Sequence, residues 1–164
     1  MKAAVVMGSI SDLPVLEKTI ETLKEFGVEV EAHVMSAHRT PDAAHEFAAG
    51  AESNGIEVII AAAGKAAHLA GVLAAYTVLP VIGLPIKSST MDGLDSLLST
   101  VQMPPGIPVA TVAINGGQNA ALLAVQILSL RYDELTAKLK NFKTTMADKV
   151  VAADQNLQKE LNQS

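Results

Sequence analysis

Short apolar runs alternate with longer helix-patterned runs along this chain, and no other feature of the sequence restricts the fold as much. Residues 3–7, 28–35, 56–62, 80–84 and 109–114 are rich in Val, Ile and Ala and read as strands, the second with apolar and polar residues alternating. Between the first two, Leu13, Leu16, Ile20, Leu23 and Phe26 recur at helical spacing within residues 12–26, and Gly27 stops that helix. Residues 41–54 read as a second helix, with Thr40 as N-cap, Pro41 at the first helical position and Gly55 past the end. Further helices are expected at 66–77, 94–102 and 119–130. A β-α-β-α rhythm with near-continuous apolar strands implies a parallel sheet with helices on both faces. Right-handed crossovers then give a doubly wound, flavodoxin-like sheet inside a three-layer α/β/α sandwich.

At 164 residues the chain is sized for one sizeable core, and 49% hydrophobic residues exclude disorder. Aromatic residues are only 3%, so that core must be aliphatic. A net charge of -5 argues against a nucleic-acid partner, which usually demands a basic surface. Without Cys there is no disulfide framework, thiolate metal site or cysteine nucleophile. The apolar start is too short for a signal peptide and no segment reaches the length of a membrane span. A soluble, cytoplasmic protein with no membrane partner is therefore expected.

Residues 131–164 differ from the rest, holding 11 of the 29 charged residues. Leu135, Leu139, Phe142, Met146 and Val150 form one helical stripe, and Leu157 and Leu161 prolong it. The expected organisation is an α/β domain over residues 1–130 followed by a helical extension over 131–164. Such a stripe must be covered. It can pack on its own domain or on a neighbouring subunit, and its length together with an already covered sheet favours the neighbour.

Ligands of open parallel sheets bind beyond the carboxyl ends of the strands, and polar residues collect there. Gly8-Ser9-Ile10-Ser11-Asp12 is a small-residue turn entering a helix, suited to an anion at its free N–H groups. Asp12 accepts but cannot donate when ionised, so it suits a sugar hydroxyl; Ser11 or Asp12 can equally be a simple N-cap. The spacing is neither GxGxxG nor a Walker loop. In Ser36-Ala37-His38-Arg39-Thr40-Pro41, helix capping explains Thr40 and Pro41 but not the adjacent His and Arg. Arg39 is a permanent cation with a fork for phosphate or carboxylate, and His38 can move a proton near neutral pH. Ala63-Gly64-Lys65-Ala66-Ala67-His68 follows the third strand, where small residues let a ligand approach the backbone. Lys65 can reach an anion or point to solvent, and His68 can serve the site or cap the Ala-rich helix. His33 is read as structural and His45 as surface or packing. No two His residues stand at a metal-ligand spacing, so no metal is expected.

Taken together and in this order, these loops resemble a known family. Gly8-Ser9-x-Ser11-Asp12, Ser36-Ala37-His38-Arg39-Thr40-Pro41, Ala66-Ala67-His68-Leu69 and Gly93-Leu94-Asp95-Ser96-Leu97 carry the likeness. So do Val101-Gln102-Met103-Pro104, the Gly106-Ile107-Pro108 run and Asn119-Ala120-Ala121-Leu122-Leu123-Ala124. The chain resembles the bacterial-type PurE family, the N5-carboxyaminoimidazole ribonucleotide mutases, over residues 2–130. The resemblance implies isomerisation of N5-carboxyaminoimidazole ribonucleotide to 4-carboxyaminoimidazole ribonucleotide in purine (IMP) biosynthesis. It also implies a three-layer α/β fold, a homo-octamer, and neither metal nor organic cofactor. Substrate contacts are expected from Ser9, Asp12, Ser36 and Arg39. His38 is expected to be the catalytic imidazole, and Ala63, Gly64, Lys65, His68 and Leu69 to enclose the base. A sister group carboxylates aminoimidazole ribonucleotide directly with CO2; the His-Arg-Thr-Pro loop favours the mutase. Two positions depart from the common pattern, since Lys65 replaces the second of two glycines and Ala70 replaces a proline. If that glycine has φ > 0 in relatives, Lys65 carries strain. The competing class, a non-catalytic phosphate-binding module on the same sheet, needs the first loop but not His38.

Overall fold

A computed structural model describes residues 1–162. Five parallel strands form one sheet: β1 (Lys2–Met7), β2 (Glu29–Val34), β3 (Val58–Gly64), β4 (Val81–Ile86) and β5 (Ala110–Thr111). Their order across the sheet is β2-β1-β3-β4-β5. In register, Met7 lies beside Ala62 of β3 and Val34 of β2, so the carboxyl ends of the three strands are level. The helices are α1 (Leu13–Glu25), α2 (Pro41–Gly50), α3 (Leu69–Ala75), α4 (Leu94–Val101), α5 (Gly117–Leu128) and α6 (Asp133–Leu161). The sandwich expected from the alternating runs is thus observed.

The two covering layers follow from which residues interlock. One face of the sheet presents Ala4, Val6, Ile59 and Ala61 to Ala44 and Ala48 of α2 and to Leu69, Ala70 and Leu73 of α3. Thr100 of α4 and Ala70 of α3 both approach Gly83 of β4, so α4 shares that layer. Strand side chains alternate between faces, so Val5 and Ile60 serve the other layer. There α1 and α5 pack together. Their contact is close because α5 begins with Gly117, where a Cβ would stand 2.6 Å from the Val15 carbonyl oxygen. The buried Thr19 hydroxyl donates to the Gly117 carbonyl at 2.9 Å and fixes the crossing. The core is dominated by Ala, Val, Ile and Leu, with Met7, Met35 and Phe26 as its other apolar members, in keeping with the low aromatic content.

Three local expectations need correction. The fifth strand, expected over 109–114, pairs as a strand only at Ala110–Thr111. Its successors still donate to β4, Val112 to the Gly83 carbonyl at 3.0 Å and Asn115 to the Pro85 carbonyl at 2.9 Å. Pro85 has no N–H to return on that side, so the ladder cannot continue. The third helix, expected over 66–77, spans only Leu69–Ala75, because the chain turns at Lys65 and His68 stands outside the helix. Thr40 occupies the N-cap position of α2 but makes no side-chain capping bond, because its hydroxyl is engaged with Ser36.

Contacts divide the chain into two compact units, Met1–Leu128 and the residues from Ser129 onward. The second unit is dominated by α6, a 29-residue helix in which Leu135 is buried while Met146, Val150, Val151, Leu157 and Leu161 are exposed. Among the described residues, no helix is long and apolar enough to cross a membrane.

Candidate active site

Four loops at the carboxyl ends of β1 to β4 build the site. The first is tied to β3 by Gly8, whose N–H donates to the Ala62 carbonyl at 2.9 Å. Ser9 caps a short 3-10 turn (Ile10–Asp12), its hydroxyl accepting from the Ser11 N–H at 3.3 Å and the Ser11 hydroxyl at 2.8 Å. Asp12 stands at the N-cap position of α1 yet makes no capping bond there. Its carboxylate is buried and accepts a long bond, 3.4 Å, from the Ser11 hydroxyl. Burial pushes its carboxyl pKa above the usual value, and hydrogen bonds from Ser11 and the Ser9 backbone oppose the rise.

The second loop is a locked turn. The Ser36 hydroxyl accepts the backbone N–H groups of His38 (3.3 Å) and Arg39 (3.2 Å). The Ser36 N–H donates to the Thr40 hydroxyl at 2.9 Å, and that hydroxyl donates back to the Ser36 carbonyl at 3.1 Å. These bonds hold the adjacent His and Arg at the strand end, so Ser36 organises the turn that presents them. The Arg39 guanidinium donates to the Gly8 carbonyl at 3.2 Å, which aims it over the first loop.

His38 Nε2 lies 2.7 Å from His68 Nδ1, with the rings edge to face at a centroid distance of 4.9 Å. One nitrogen must carry a proton and the other must be bare, so each ring fixes the tautomer of the other. The two histidines are 30 residues apart and meet because β2 and β3 end level on either side of β1. The late start of α3 leaves His68 outside the helix, where its ring is exposed and reaches His38.

A cavity of about 360 Å³ is lined by residues of the first, second, third and fourth loops. Five of the expected residues line it: Ser9, Asp12, Arg39, Gly64 and Lys65. Gly64 passes close to β4, and a Cβ there would stand 3.3 Å from the Ile86 carbonyl oxygen. Ser36, His38, Ala63 and His68 lie outside the lining, and Leu69 is buried in the core beneath. Ser11, Lys87, Ser88 and Ser89 also line the cavity and were not singled out individually. The signal for the last three was their position directly after β4. His33 bonds Glu31 at 2.9 Å and packs against Phe47, and His45 stacks on Tyr76, so both are structural.

Hydroxyls, three cationic side chains and one buried carboxylate thus line the pocket, and the same loops carry an imidazole pair. On a doubly wound sheet this arrangement defines an enzyme that takes a small anionic ligand at the strand ends. The AIR carboxylase family model matches residues 2–149. Among relatives, the N5-carboxyaminoimidazole ribonucleotide mutase of Pyrococcus abyssi is 61% identical over 88% of this chain and 83% of its own length. That of Thermotoga maritima is 54% identical over 96% of this chain and 92% of its own. The crystal structure of Treponema denticola PurE superposes with a TM-score of 0.85 at 31% identity, covering 95% of this chain and 98% of that one. The chain belongs to the AIR carboxylase family, among the N5-carboxyaminoimidazole ribonucleotide mutases of de novo purine biosynthesis.

Proposed function

We propose that the site isomerises N5-carboxyaminoimidazole ribonucleotide to 4-carboxyaminoimidazole ribonucleotide with His38 acting first as acid, then as base. Arg39 and the Ser9 loop hold the 5′-phosphate, and the Asp12 carboxylate accepts from a ribose hydroxyl. Protonated His38 gives its proton to N5 as the N–C bond of the carbamate breaks, releasing CO2 and the free amine. The enamine-like C4 carbon then attacks the retained CO2, placing a positive charge on the ring and its amine. Neutral His38 removes the C4 proton, which restores aromaticity and returns the imidazole to its starting state. Protons and charge balance over the cycle, and the carboxyl group never leaves the pocket. Holding CO2 against C4 replaces a bimolecular encounter with a neighbouring attack.

The single observation carrying this reading is the 2.7 Å contact between His38 and His68, with Arg39, the residue next to His38 in the chain, lining the cationic cavity. A phosphate-binding module has no use for an imidazole held in a defined tautomer. His38→Asn keeps a polar side chain but cannot carry the proton. It is expected to lower turnover by about 10²- to 10⁴-fold while retaining nucleotide binding by calorimetry. Near-normal turnover in that variant would remove His38 from the mechanism.

The working unit in this reading is a homo-octamer in which α6 is covered by a neighbouring subunit. The exposed apolar stripe on α6 supports it, since such a stripe is unfavourable in water.

A further inference from the structure

Lys65 lines the cavity from a backbone conformation that its own side chain disfavours. It has φ 56°, in the left-handed region where a Cβ crowds the backbone. Strain of this kind persists where the surroundings fix it, and it gathers at ligand sites. Three cationic side chains line the cavity: Arg39, Lys65 and Lys87. Lys87 is already paired, its ammonium 3.1 Å from Asp92. Among the described residues, Arg39 and Lys65 have no carboxylate partner. A phosphate monoester carries between one and two negative charges at neutral pH, so two unpaired cations match it where one does not. The imidazole pair lies outside the lining, which leaves the cavity to the phosphate and ribose end of a nucleotide rather than to the base.

We infer that Lys65 supplies, with Arg39, the second positive charge that binds the substrate's 5′-phosphate, and so sets the affinity for the ribonucleotide. This rests on the ribonucleotide reading above. Glycine is the usual residue here in the family that the sequence resembles, so the added charge makes this pocket a stronger phosphate site than the common pattern provides.

The test compares Lys65→Met, Lys65→Gly and Lys65→Arg with the parent protein. Binding of ribose 5-phosphate is measured by calorimetry at low and physiological salt, beside kcat and KM for N5-carboxyaminoimidazole ribonucleotide. Met and Gly should each weaken ribose 5-phosphate binding and raise KM about tenfold, with kcat within about twofold of the parent. The loss should shrink in high salt, and Arg should restore binding. Gly relieves the backbone strain, so a loss shared by Met and Gly cannot come from misfolding. Unchanged affinity for ribose 5-phosphate in Met and Gly overturns the inference. A KM rise without weaker ribose 5-phosphate binding also overturns it, because Lys65 would then serve the carboxylate. Absence of turnover in the parent would defeat the mutase reading alone, while the ribose 5-phosphate comparison would still decide the role of Lys65.

Discussion

Asp12 is a carboxylate in a partly dehydrated setting, and the fold bears the cost. Its pKa is raised by burial above the ordinary value of 3.8, so the folded state favours the protonated form. Its contribution to stability is therefore fully present below the unfolded pKa and is lost as pH rises through the raised folded value. Asp12→Asn cannot ionise. It should melt at a higher temperature than the parent at pH 7, and the difference should shrink as pH falls below about 4. The same variant should raise KM for the nucleotide about tenfold, the cost of replacing a charged acceptor for a ribose hydroxyl with a neutral amide oxygen. Melting curves at pH 4 to 8 check the first part, and a higher KM beside a higher melting temperature marks a group kept for binding. Ser9, Asp12, Arg39, Gly64 and Lys65 were readable as cavity-lining residues because each lies at, or in the loop beyond, the carboxyl end of a strand. The bond between His38 and His68 was not, since nothing local in the sequence reports a contact across 30 residues. Leu69 marks the opposite limit: next to a site histidine in sequence, it turns into the core.

Among the elements, periodicity located all five strands and every helix of the sandwich, but their ends depended on bonds between distant segments. Pro85 cut the fifth strand short from the neighbouring strand, and the left-handed turn at Lys65 delayed α3. Neither effect is visible in the apolar pattern of the element it alters. The stripe on α6 was readable in full, and from Met146 onward its side chains are exposed, Val150 at 70% and Leu157 at 51%, while Leu135 at its start is buried. If a neighbouring subunit covers that stripe, Val150→Glu combined with Leu157→Glu places charge in an apolar interface. Light scattering should then give a smaller assembly, while circular dichroism retains the helical signal. An unchanged mass would contradict a role for α6 in assembly.

The molecule as a whole opens its cavity where the strand order reverses. With the order β2-β1-β3-β4-β5, the chain runs outward from β1 to one edge and from β3 to the other. Loops leaving β1 and β3 diverge there, and the cavity opens between residues that follow those two strands. The sequence implied a doubly wound sheet, but the lateral order came from the structure, because it depends on which strands pair. Turnover on two substrates, each with an enzyme-free control, tests the central claim most directly. One run supplies N5-carboxyaminoimidazole ribonucleotide; the other supplies aminoimidazole ribonucleotide with bicarbonate. Formation of 4-carboxyaminoimidazole ribonucleotide is followed by absorbance in both. The mutase account predicts fast conversion of the carbamate, far above the bicarbonate run. Product formed only from aminoimidazole ribonucleotide and CO2, or in neither run, would contradict it.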